Sequence, residues 1–178
     1  MANKVTKLRT AAPARLDTPT DHSEAAVKDI SRALNGLLAD SFALYLKTKN
    51  FHWHISGPHF RSYHLMLDDH AAEIYATTDV LAERVRKLGG TTLRSIGDIA
   101  RHQSIKDNDK DFVTPLDMLK ELMNDNKAMI KSLQKAHDIC DKHEDVGSAS
   151  FLEEFIDAAE KRNWFLFEAS RTADESGH

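Results

Sequence analysis

Residues 59 to 88 carry a nearly all-apolar series at helical spacing: Phe60, Tyr63, Leu67, Ala71, Ile74, Thr78, Leu81, Val85 and Leu88. Steps of three and four residues place this series on one stripe of an α-helix, whereas a strand would scatter it over both faces. The segment is punctuated by Gly57-Pro58 before it and by Gly89-Gly90 after it, the residue types that open and close helices. One long amphipathic helix is therefore predicted, and an amphipathic helix needs partners to cover its apolar stripe.

The same periodicity supplies those partners. A first helix is predicted from about Asp21 to His52, with Asp21 and Glu24 read as a capping box and Val27, Ile30, Leu34, Leu37, Leu38, Ser41 and Tyr45 as its stripe. A third opens at Thr114-Pro115 with Asp117, and runs through Leu116, Leu119, Met123, Met129, Ile130, Leu133 and Ile139 to about His143. A fourth starts near Ser148 or Ser150 and reaches about Arg171 through Phe151, Leu152, Phe155, Ile156, Ala159, Trp164, Phe165 and Phe167. Residues 91 to 113 form a long connection that holds a short helix within SIGDIARHQ, begun by Ser95 and Asp98. Strand-like alternation and solenoid repeats are lacking. The fold class is all-α, a four-helix bundle with a short extra helix in the connection between helices two and three. A flexible basic tail is expected over residues 1–20, the bundle over 21–171 and a short polar tail over 172–178.

A second stripe on the 59–88 helix is polar. His64 and Asp68 are four residues apart, as are Asp79 and Glu83, so each pair occupies adjacent turns and all four fall within roughly 100° of arc. At about 1.5 Å per residue the two pairs lie roughly 16 Å apart, too far to hold one ion between them. Both 64 with 83 and 68 with 79 are centred on 73.5. Two copies packed antiparallel about a two-fold axis near Glu73 and Ile74 would therefore set His64 against Glu83, and Asp68 against Asp79, of the other copy. Acids gathered at such an interface repel one another unless a cation is present. Histidine and carboxylate donors without thiolate suit Fe2+, Mn2+ or Zn2+, and His52, just across the Ser-Gly-Pro turn, adds a nitrogen donor.

Charge and cysteine content narrow the remaining classes. Of 24 basic residues, Lys4, Lys7, Arg9 and Arg15 stand in the first 16 residues with no acid among them, leaving 20 basic against 28 acidic residues and a balance of −8 for the rest. A short basic arm of this kind is suited either to solubility or to nucleic acid phosphates. The single Cys140 allows no internal disulfide and is read as a packing residue, which together with the lack of a secretory signal or a membrane-length apolar run gives a cytoplasmic expectation.

The run HWHISGPHFRSYHLMLDD, followed by DVLAER and LGG, resembles the signature of the Dps family, the DNA-binding proteins from starved cells, within the ferritin-like superfamily. The resemblance extends from about Asp21 to Arg171. It implies a ferritin-like bundle in which His52, His64 and Asp68 of one subunit, with Asp79 and Glu83 of a two-fold partner, form a di-iron (Fe2+/Fe3+) ferroxidase centre. It further implies a hollow dodecamer that oxidises Fe2+ with hydrogen peroxide, stores the ferric mineral and protects DNA from oxidative damage. Ferritins and bacterioferritins use Glu-x-x-His motifs within one bundle, and none falls within residues 21–171. The resemblance also draws Asp141, Glu144, Asp145, Glu153, Glu154 and Asp157 towards a three-fold, iron-admitting pore. An alternative reading is a nucleoid-associated structural protein that binds DNA through Lys4, Lys7, Arg9 and Arg15. Trp53 matches a family tryptophan near the site but is read first as core packing, and His54, His59 and His70 are read as surface histidines.

Overall fold

The computed structural model describes Leu16 and residues 18–171. Five helices follow in order: α1 (Glu24–His54), α2 (Phe60–Lys87), the short α3 (Ile96–His102), α4 (Pro115–Lys142) and α5 (Val146–Ala169), with no strand among the described residues. α1 packs along α2 and α4 along α5, while α1 against α4 and α2 against α5 close the bundle. Leu34, Leu44, Leu67, Ile74, Leu81, Leu119, Leu133, Leu152 and Leu166 fill its centre. Residues 1–15 and 17 of the expected N-terminal tail, with Lys4, Lys7, Arg9 and Arg15, and the C-terminal residues 172–178 lie outside the described residues.

Most boundaries follow local chemistry that the sequence displays. Ser95 accepts from the Asp98 amide at 3.1 Å and Thr114 from the Asp117 amide at 3.3 Å, so α3 and α4 begin at the expected caps. Gly89 takes a φ of +86° after α2, where a side chain would be strained. Two starts differ from expectation. α1 is capped by Ser23, whose hydroxyl accepts from the Ala26 amide at 3.2 Å, rather than by Asp21. α5 begins earlier than Ser148, because the Asp145 carboxylate accepts the Ser148 amide at 3.1 Å and the Ser148 hydroxyl at 2.5 Å.

Asp145 is 1% exposed and also meets the Arg84 guanidinium from α2. Burial pushes its pKa up, but Ser148 and Arg84 outweigh that and hold it below the usual carboxylate range. Asp145 is thus a structural link and does not line a pore, whereas Asp141, Glu144, Glu153, Glu154 and Asp157 are exposed. Gly147 makes this link fit, since a Cβ there would press on the Arg84 guanidinium. The crossover is fastened in the same way: buried Asp40 of α1 accepts from the Ser104 amide, the Ser104 hydroxyl at 2.7 Å and the Ile105 amide at 3.0 Å.

Side-chain placement corrects four expectations. The buried face of α4 is Met118, Leu119, Leu122, Asn126, Met129, Leu133, Ala136 and Cys140, rotated from the stripe read through Leu116 and Met123. Trp164, Phe165 and Phe167 of α5 are exposed, and so is Trp53, at 58%, which removes it from the core. His70 goes the other way: it is 5% exposed, on the side of α2 that faces α5, and its Nε2 has no partner.

Burial first, and then the nearby Arg162 cation, push the His70 pKa down from 6.5 to about 4. In an unfolded chain His70 takes up a proton as pH falls below 6.5, while in the folded chain it resists until about 4. Its contribution to stability is therefore intact above 6.5 and is lost progressively down to about 4, by an order of 3 kcal/mol in all. Chemical denaturation of wild type and His70→Phe at about pH 7.5 and about pH 4.5 checks this. The variant should lose clearly less stability in acid than the wild type, and equal losses would exclude His70 as a source of acid sensitivity.

Candidate metal centre

The turn between α1 and α2 sets two histidines face to face. Gly57, at a φ of +100°, lets the chain reverse through Ile55–His59, so His52 near the end of α1 meets His64 in the second turn of α2. Their rings stack with centroids 3.7 Å apart and planes 22° apart. His52 Nδ1 donates to the His64 carbonyl at 2.8 Å, and His64 Nδ1 donates to the His52 carbonyl at 2.9 Å. A carbonyl can only accept, so each Nδ1 carries a hydrogen, and in the neutral ring it is Nε2 that offers the lone pair. Fixing the tautomer and ring orientation from the far nitrogen is how proteins prepare metal-ligating imidazoles.

Asp68 stands one turn along α2, with its Oδ1 at 3.9 Å from His52 Nε2. That same Oδ1 accepts from Lys49 Nζ at 2.7 Å. The Lys49 hydrogen bond is the main reason the Asp68 pKa is lowered, with the Lys49 charge adding to it. Lys49 also lies over the Trp53 ring, 5.9 Å from its centroid, so one cation bridges the carboxylate and the exposed indole. Sequence reading passed over Lys49, although a position three residues before His52 on one helix face was the available signal.

Asp79 and Glu83 lie further along α2, both exposed. Asp79 forms no hydrogen bond or ion pair among the described residues, and Glu83 pairs with Lys87 at 3.1 Å. Within one chain, no three His, Cys, Asp or Glu side chains among the described residues are grouped to hold a metal ion. Halfway between the two pairs, Ile74 is buried and Glu73 pairs with Lys161 and Arg162 of α5 at 3.0 and 3.4 Å. The surface at that level belongs instead to Ala72, Tyr75 and Ala76, all exposed. Tyr75 joins Tyr45, 5.0 Å away between ring centroids, and Phe42 at 6.4 Å. An aromatic patch of this kind flanked by Asp79 and the highly exposed Ile96 has the composition of a subunit contact.

The remaining histidines divide. His54 and His59 are exposed, as expected, whereas His70 belongs to the core. His137 bridges Asp141 at 3.4 Å and Glu153 at 3.3 Å, one carboxylate on each side of the ring, an arrangement that ties α4 to α5.

Comparison with known proteins places this geometry. Residues 31–172 match the family model for the Ferritin-like domain, so the bundle is a ferritin-like one. The chain is 34% identical to an uncharacterized low temperature-induced protein of Nostoc sp. over 134 residues, 75% of each chain. It is 30% identical to the DNA protection during starvation protein of Brevibacillus brevis over 133 residues, 75% of this chain and 89% of that one. DpsC from Streptomyces coelicolor superposes with a TM-score of 0.84 at 25% identity, over 88% of this chain and 91% of its own. The chain belongs to the Dps family of ferritin-like proteins.

Proposed function

We propose that this protein oxidises and stores iron, with ferroxidase centres shared between two antiparallel subunits. The observation that carries the reading is the reciprocal lock of His52 and His64 through Nδ1, which leaves both Nε2 atoms outside the lock, that of His52 at 3.9 Å from the Asp68 carboxylate. Three donors are too few to enclose an iron ion, which prefers a larger set of nitrogen and oxygen ligands. The symmetric spacing along α2 supplies the remainder as Asp79 and Glu83 of the partner subunit, across the Tyr75 surface.

Fe2+ is the substrate of such a site. Two Fe2+ ions give up one electron each, and hydrogen peroxide takes both electrons with two protons to form two waters. Pairing the electrons avoids the hydroxyl radical that a single Fe2+ would release. Hard, anionic carboxylates favour the Fe3+ product over Fe2+, and an imidazole binds a metal ion through its neutral form. The ferric product is stored in the cavity of a dodecamer. Relatives named for DNA protection support a protective role, with the basic residues Lys4, Lys7, Arg9 and Arg15 as a route to DNA.

Lys49 acts as a stand-in cation on this reading: its ammonium occupies the Asp68 oxygen until a metal ion displaces it.

Two variants test the site under anaerobic Fe2+ titration. The double substitution Asp79→Asn with Glu83→Gln changes only exposed side chains, so the fold should persist while affinity falls by roughly tenfold or more. Unchanged affinity would remove the acids from the site. Lys49→Gln should tighten binding severalfold by removing the competing charge, and equal or weaker binding would show that the ammonium does not compete.

A further inference from the structure

We propose that a groove beside the start of α1 binds a phosphate group. The groove, of about 640 Å³, lies between residues 18–22, the first half of α1 and the Leu88–Thr91 turn. Its outer wall holds Lys28 and Arg32, one helical turn apart on one face. Neither forms a hydrogen bond or ion pair among the described residues, and like charges at this spacing repel one another. An anion between them removes that cost, and Glu24 is the one acid in the lining.

Beneath the floor lies a donor without a partner. Ser31 is 8% exposed, and its Oγ has no hydrogen-bond partner, a state that costs energy unless a ligand or water completes it. Gly90 packs directly against that hydroxyl, with which a Cβ would collide. His22 and His102 stand on the remaining walls. A guanidinium fork, an ammonium and a hydroxyl offer several donors to one small anion. Phosphate, with up to two charges and several acceptor oxygens, uses more of them than a carboxylate does.

The groove is also held in shape. Arg86 donates to the Leu16 carbonyl at 2.6 Å and to the Gly90 carbonyl. The Thr18 carbonyl approaches Gly89 so closely that a Cβ there would lie 3.1 Å from it. Leu16 and Thr18 are thereby held along one rim. The ligand could be free inorganic phosphate or the phosphodiester of nucleic acid, and the site does not depend on iron.

The test uses the full chain, free of metal, titrated calorimetrically with inorganic phosphate in chloride buffer. Saturable binding is expected, weakened by roughly tenfold or more in the double variant Lys28→Gln with Arg32→Gln and severalfold in Ser31→Ala, at unchanged melting temperature. A chain lacking residues 1–15, which keeps the Leu16 anchor, is then assayed for retention of duplex DNA. If the double substitution abolishes that retention, the phosphodiester is the ligand. If DNA behaviour is indifferent while phosphate binding is lost, the site takes free phosphate. No saturable binding of phosphate by the wild type, or equal binding by the double variant, overturns the proposal.

Discussion

Two hydrogen bonds between the end of α1 and the start of α2 set the geometry on which the rest of the site depends. His52 and His64 each donate Nδ1–H to the other's backbone carbonyl. His52 is only 7% exposed, so its polar ring is buried with one nitrogen satisfied and one directed to the Asp68 side. Each imidazole is thus part of the helix pairing as well as a proposed metal donor. A rotation of either ring would leave a buried N–H without a partner, at a cost of about 1–3 kcal/mol. That cost is what keeps the donors oriented before any ligand arrives.

The same economy of polar contacts recurs through the bundle. Asp40 fastens the crossover to α1; Lys47, buried, reaches Asp125 at 2.7 Å and ties α1 to α4. Glu73, Arg162 and Asn126 join α2, α5 and α4, with Arg162 Nε donating to Asn126 at 3.2 Å. Each link satisfies a buried charge from a neighbouring segment of the chain, as buried ionic groups require. On α2 itself, Glu73 is drawn to the side that meets α5. The face that bears His64, Asp68, Tyr75, Asp79 and Glu83 is left to solvent in the isolated chain, which is why it is the face available to a second copy.

The apolar stripe of α2 was legible in the sequence because Leu67, Ala71, Ile74, Leu81 and Val85 have no competing role and are buried as read. The Thr114 and Ser95 caps were legible because each precedes an acidic residue at the third position. Asp145 was not, since it stands in an acidic run where any residue could cap, and only the approach of Arg84 and Ser148 distinguishes it. His70 and Trp53 were misread for a related reason. Periodicity assigns a face to a residue, but whether a histidine near a face edge is covered depends on the neighbouring helix, here Phe165 at 6.2 Å between ring centroids. Lys49 was passed over because its spacing from His52 does not reveal its partner Asp68, 19 positions away on another helix.

The central claim is that one functional site is assembled from two chains, and complementation tests it most directly. One variant carries His52→Ala with His64→Ala, the other Asp79→Asn with Glu83→Gln, and the two are unfolded and reassembled together in equal amounts. Each alone should be inactive in peroxide-driven Fe2+ oxidation. In a random mixture half the dimers are hybrid, and each hybrid holds one intact site, so about a quarter of wild-type activity should return. If mixing restores nothing while the hybrids are shown to form, the donors do not combine across the two-fold axis and the shared centre is wrong.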